Sequence, residues 1–189
     1  MALLAEVYRG GGLDLETRDG IITWLAIILG IFFLLRSSEY LRSGDGQDEK
    51  KCIRVRNVLF ALDSSEVNCA DDVECDEVAI FHEFSKNDFL GQGACNNNIL
   101  RACSDRRFCV VPWVDILRQT FPEALSSSDA FLLRLENGKV LHRGCVESLL
   151  SGAAVRLKLP PKLLAVHMAF VQAAHRQCTT RDSSNRKSR

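Results

Sequence analysis

GIITWLAIILGIFFLL, residues 20–35, decides how the rest of this chain is read. No charge falls between Asp19 and Arg36. Every face of a helix built from the stretch is apolar, so its surroundings must be either lipid or a protein core. Such a helix covers about 24 Å against roughly 30 Å of hydrocarbon, so it spans a bilayer if Arg36 snorkels and Thr17 or Arg18 lengthens it. Trp24, Phe32 and Phe33 stand near its ends, where interfacial aromatics collect. The expectation is a single transmembrane helix over residues 20–36. Ala26 and Gly30, four residues apart, would form a small-residue face for close packing against other spans.

The flanks argue for a retained anchor. Before the apolar run stand Glu6, Asp14, Glu16 and Asp19 against Arg9 and Arg18. A secretory signal needs a basic start, and a matrix presequence tolerates few acids. No small-residue cleavage pattern follows. The downstream flank carries Arg36, Arg42, Lys50, Lys51, Arg54 and Arg56, which directs the bulk of the chain to the cytosol or matrix. The eight cysteines favour an oxidising side instead, so the side of the membrane stays open.

With 189 residues, 47% of them hydrophobic and 25% charged, the chain has material for one domain plus appendages. Its 24 basic and 24 acidic residues cancel, which gives no global argument for nucleic acid as a partner. The organisation reads as an N-terminal segment (1–19), the span (20–36), a polar linker (37–52), a folded domain (53–159), a C-terminal helix (160–178) with an apolar stripe at Leu164, Met168 and Val171, and a basic tail (179–189). Inside the domain, residues 53–63 and 77–84 have strand composition, and CNNNILRACS (95–104) reads as a helix. FCVVPW (108–113) reads as a buried strand, and VDILRQTFPEAL (114–125) as a helix ending near Phe121, before Pro122. DAFLLRLENGKVLHRG (129–144) is a hairpin turning at Asn137 and Gly138, and a helix follows from Cys145.

This order, together with the Asn-Gly hairpin and the helix behind it, resembles the thioredoxin family over residues 77–151. The fold it implies is α/β, in which residues 77–84 and 108–113 are neighbouring parallel strands. The fold class expected for the whole chain is therefore one N-terminal transmembrane helix, a thioredoxin-like domain and a C-terminal helix. That family's chemistry uses C-x-x-C, whose first thiolate attacks and whose second thiol resolves the mixed disulfide. Here the matching place holds Cys95-Asn96-Asn97-Asn98, and Ser127, Ser128 and Asp129 stand where the family has a cis proline. Cys95 is thus a weak catalytic candidate, read as the remnant of a nucleophile or a structural thiol.

The six cysteines inside the domain, Cys69, Cys75, Cys95, Cys103, Cys109 and Cys145, are candidates for disulfides whose pairing the spacing does not fix. Their spacings do not fit zinc knuckles. His82, His142, His167 and His175 are scattered, and Asp71, Asp72, Glu74, Asp76 and Glu77 lack the alternating ligands and glycine of a calcium loop. Neither a metal nor a cofactor is expected. Together these features point to a non-catalytic accessory subunit, structural or for assembly, of a large membrane complex. The setting inferred is the mitochondrial inner membrane, with ATP synthase or a respiratory complex as the assembly, and with its other subunits and the lipid bilayer as partners. The alternatives are a membrane-tethered thiol protein using Cys95 and a membrane adaptor for soluble partners.

Overall fold

Thr17 opens the decisive helix by local chemistry. Its hydroxyl accepts from the Gly20 amide at 3.2 Å and donates to the Asp14 carbonyl at 2.8 Å, which caps the first turn. The computed structural model describes residues 1–10, 12–33, 35, 37–44, 52–63, 65–67, 75–81 and 99–160. Within them α1 is Ala2–Arg9, α2 is Arg18–Phe32 and α3 is Ser37–Tyr40. A four-stranded sheet follows, with β1 Val58–Leu62, β2 Ser65–Val67, β3 Glu77–Ile80 and β4 Ile99–Arg101, and then helices α4 Val110–Thr120 and α5 Arg143–Arg156.

The expected transmembrane helix is corrected here. No helix among the described residues is long and apolar enough to cross a membrane. Helix α2 has 15 residues, and Ile21 to Gly30 are all buried by the chain's own elements. Its first turn, which a span would use to gain length, is committed to protein partners. Arg18 donates to the Arg134 carbonyl at 3.0 Å and to Glu123 at 3.3 Å, and Asp19 Oδ1 accepts the Glu136 amide at 2.7 Å. Midway along, Trp24 Nε1 donates to the Arg107 carbonyl at 3.0 Å. These groups join α2 to the hairpin and to the start of α4, so it is the central core helix. Ala26 is fully buried in that core, and Gly30 faces Tyr40 rather than a second span. A Cβ on Gly30 would sit 2.2 Å from the Tyr40 hydroxyl. Burial holds that phenol above its ordinary pKa.

The expected thioredoxin-like α/β arrangement is also corrected. The sheet order is β2-β1-β3-β4 and every pairing is antiparallel. Strand β3 runs antiparallel to β1 on one side, with Phe60 opposite Val78, and to β4 on the other, with Val78 opposite Leu100. Residues 99–101, expected in a helix, form β4, and residues 110–113, expected in a strand, open α4. The reason is Pro112. Its fixed φ suits a first helical turn, where its missing N–H leaves no bond unmade, so the buried Val110-Val111 pair joins a helix in spite of its strand-like composition.

The hairpin expectation holds at its turn. Gly138 has φ +80°, the Leu135 amide bonds the Lys139 carbonyl at 2.9 Å, and Arg134 pairs with Val140. Its flanks are held by the segments that read as linker and first strand. The Arg42 amide donates to the Leu141 carbonyl at 3.1 Å, and the Leu132 amide to the Ile53 carbonyl at 2.9 Å. The C-terminal helix expected over 160–178, with the tail behind it, lies outside the described residues apart from Pro160.

Candidate functional site

Six hydrogen bonds organise the loop between β4 and α4. Asp105 caps the short 3-10 turn Arg106–Phe108 by accepting the Arg107 amide at 3.2 Å, and it holds the Arg107 guanidinium through two bonds of 2.9 and 2.8 Å. That guanidinium in turn keeps the Asp105 carboxyl below its ordinary pKa. The turn is closed by the Phe108 amide on the Asp105 carbonyl at 3.1 Å. The Arg107 carbonyl then points inward and accepts from both Trp24 Nε1 and Trp113 Nε1, each at 3.0 Å. Tyr8, Trp24, Phe108 and Trp113 form an aromatic cluster beneath, in which Tyr8 meets Trp24 edge-on at 5.3 Å.

Two cysteines flank this turn. The Cys103 amide donates to Cys109 Sγ at 3.1 Å, the Cys103 thiol points at the Asp105 carbonyl at 3.6 Å, and the Cys109 thiol at the Arg101 carbonyl at 3.8 Å. Cys103 is exposed, whereas Cys109 is buried at the N-cap of α4. Partial desolvation, then the hydrogen bond to Cys109, hold the Cys103 thiol above its ordinary pKa.

A third thiol lies close by on the chain. Cys75 precedes Asp76, whose carbonyl accepts the Ala102 amide at 2.7 Å, so Cys75 and Cys103 flank the same backbone bond. Its surroundings differ. Cys75 is buried and points at Asp115 Oδ1 at 4.0 Å, and burial, then the Asp115 charge, push its pKa up to about 11. Asp115 also accepts from Arg118 at 2.7 Å and from Gln119 at 3.0 Å. With Asp115 and Arg118 both buried, the cluster is a satisfied structural ion pair on α4.

Of the expected disulfide candidates, Cys75, Cys103, Cys109 and Cys145 are free thiols, Cys145 standing exposed in the first turn of α5. Cys69 and the weak catalytic candidate Cys95 lie outside the described residues, as do His82, His167 and His175. Among the described residues no group of three His, Cys, Asp or Glu side chains is arranged to hold a metal ion. Asp115 and Arg118 were not singled out by the sequence, and Trp24, expected as an interfacial aromatic, instead bonds the Arg107 carbonyl together with Trp113. The Asp115 and Arg118 spacing of three on a helix was a visible signal, but its burial was not.

Helices α1 and α5 frame a groove of about 180 Å³ lined by Val7, Gly12, Ser148, Leu149, Gly152 and Arg156. The Arg156 guanidinium bonds Glu6 across it at 2.7 Å. No protein-family model, curated protein or solved structure matches this chain.

Proposed function

We propose that this chain is a non-catalytic accessory subunit that docks on a larger protein assembly through the α1–α5 face. The observation that supports this is the incomplete burial of α5. Only Val146, Ala153 and Ala154 of its 14 residues are buried, while Leu149 and Leu150 are half-covered and Val155 is 75% exposed. A helix with that much uncovered apolar surface, beside a groove lined by Gly12 and Gly152, suits a partner that supplies an apolar side chain. The assemblies suggested by the sequence are the ATP synthase or respiratory complexes of the mitochondrial inner membrane. With the transmembrane helix corrected, the docking proposed is peripheral, by protein contact.

The test is the size of the native particle after mild extraction, with mass spectrometry of the co-migrating chains, for the wild type and for Gly152→Leu. A Cβ at position 152 meets nothing nearer than the Arg156 guanidinium at 3.6 Å, an ordinary contact, so a larger side chain can be started there toward the groove. Gly to Leu in a helix interior also adds about 0.8 kcal/mol of helix propensity. The expectation is a large particle for the wild type and release of a stable Gly152→Leu chain from it. Wild-type chain running as a monomer refutes the docking role, and a Gly152→Leu chain that stays in the particle refutes the groove.

A further inference from the structure

We infer that Cys103 and Cys109 are a reversible oxidation site, at which hydrogen peroxide converts the two thiols to a disulfide that clamps the end of β4 to the first turn of α4. Four features of the loop lead to this. The sulfurs already share an environment, because Cys109 Sγ accepts the Cys103 amide at 3.1 Å. Only five residues separate them, and these are already ordered by the Asp105 cap, the Asp105–Arg107 pair and the two indole bonds to the Arg107 carbonyl. Closing the ring therefore orders little additional chain. Cys103 is open to a soluble oxidant, and Cys109 is buried.

The chemistry balances with peroxide as the electron acceptor. The Cys103 thiolate attacks one peroxide oxygen and breaks the O–O bond, giving a sulfenic acid and, with one proton, a water. The Cys109 sulfur then attacks the Cys103 sulfur, its proton leaves with the hydroxyl as a second water, and the S–S bond forms. Two thiols and one peroxide become one disulfide and two waters. Because the thiolate is the attacking species and the Cys103 thiol is held above its ordinary value, the first step accelerates as pH rises from neutrality. Cys75 adjoins Asp76, whose carbonyl bonds the Ala102 amide beside Cys103, but its buried position against Asp115 keeps it protonated and out of the exchange. The loop carries exposed Arg106 and Arg107, the latter paired with Asp105, and Arg101 at the end of β4 is paired with Glu77.

The site is read directly in the full chain. Hydrogen peroxide is added at pH 7 and at pH 8.5, remaining thiols are alkylated in denaturant, and the chain is digested with trypsin. Cleavage after Arg101, Arg106, Arg107 and Arg118 puts Cys103 on peptide 102–106 and Cys109 on peptide 108–118. The expected product is these two peptides joined, formed faster at pH 8.5 and separated again by dithiothreitol. Both tryptophans of the chain bond the Arg107 carbonyl, so their fluorescence should change with oxidation and recover on reduction. Cys145→Ser should retain the link. Cys103→Ser, at an exposed position that leaves the fold intact, should abolish both the link and the fluorescence response while Cys109 stays alkylatable. The inference is overturned if Cys103 is recovered as a sulfinic acid or linked to any other cysteine while Cys109 remains a thiol. It is equally overturned if Cys103→Ser keeps the fluorescence response. Neither outcome bears on particle size, so this site and the docking face stand or fall separately.

Discussion

Replacing Gly30 with alanine tests whether α2 is a core helix, because a new methyl group there meets a specific neighbour. On an open or lipid-facing helix surface the change gains about 1 kcal/mol of helix propensity. In this structure the added Cβ lies 2.2 Å from the Tyr40 hydroxyl and 3.0 Å from the ring carbon that bears it. Ordinary contact is about 3.5 Å, so the hydroxyl must retreat by about 1 Å. Tyr40 is 6% exposed, and the turn that delivers it is tied back by the Leu35 amide on the Gly30 carbonyl at 3.1 Å, so it has no cheap path to solvent. Overpacking of this kind costs about 1–3 kcal/mol. Set against the propensity gain, the net is a loss of about 1 kcal/mol, or roughly 2–4 °C in Tm for a chain of this size. Urea unfolding followed by the fluorescence of Trp24 and Trp113 measures it. Tyr40→Phe removes the nearest atom, so Gly30→Ala should cost about 1 kcal/mol less in that background than in the wild type. A Gly30→Ala chain more stable than the wild type, or an equal effect in both backgrounds, would refute the packing of α2 against α3.

Two further perturbations address the polar core. Asp115→Ala leaves the buried Arg118 guanidinium without its carboxylate and should cost about 3–5 kcal/mol in urea unfolding. Asp115→Leu with Arg118→Met should cost clearly less than that, and an equal cost would show that the pair is not the source of the penalty. The second concerns alkaline pH. The native Cys75 thiol is raised from an ordinary 9.0 to about 11, so the stability it contributes is complete below pH 9 and lost as pH rises toward 11. Relative to Cys75→Ala, the wild type should lose on the order of 2 kcal/mol across that window, and a stability difference that stays flat with pH would contradict the buried thiol.

Local chemistry was legible wherever it depended on neighbours in the chain. The Asn137-Gly138 turn follows from the positive φ that glycine tolerates, the end of α4 from Pro122 just beyond it, and the existence of α2 from its unbroken apolar run. The two cysteines of the loop were visible as candidates, but no feature of the sequence paired Cys103 with Cys109 in preference to the other thiols. That pairing rests on the 3-10 turn capped by Asp105 and on the two indoles that hold the Arg107 carbonyl. Misread elements were those in which composition and tertiary context conflict. Val110 and Val111 favour a strand until Pro112 sets the first turn of a helix, and Ile99 to Arg101 pair with β3 in a register that requires both strands.

For residues 20–35 the sequence determined a helix with every face apolar, and such a helix is equally suited to lipid and to a protein core. What settled the choice are groups far away in the chain. Arg18 is held by Arg134 and Glu123, Asp19 by Glu136 and Trp24 by Arg107, contacts that span 83 to 117 residues. A polar group in the first turn of a spanning helix would look to water and headgroups, whereas Arg18 and Asp19 find a backbone carbonyl, a carboxylate and a backbone amide at fixed positions. Only the folded chain supplies those partners, and with them the helix becomes the centre of a domain.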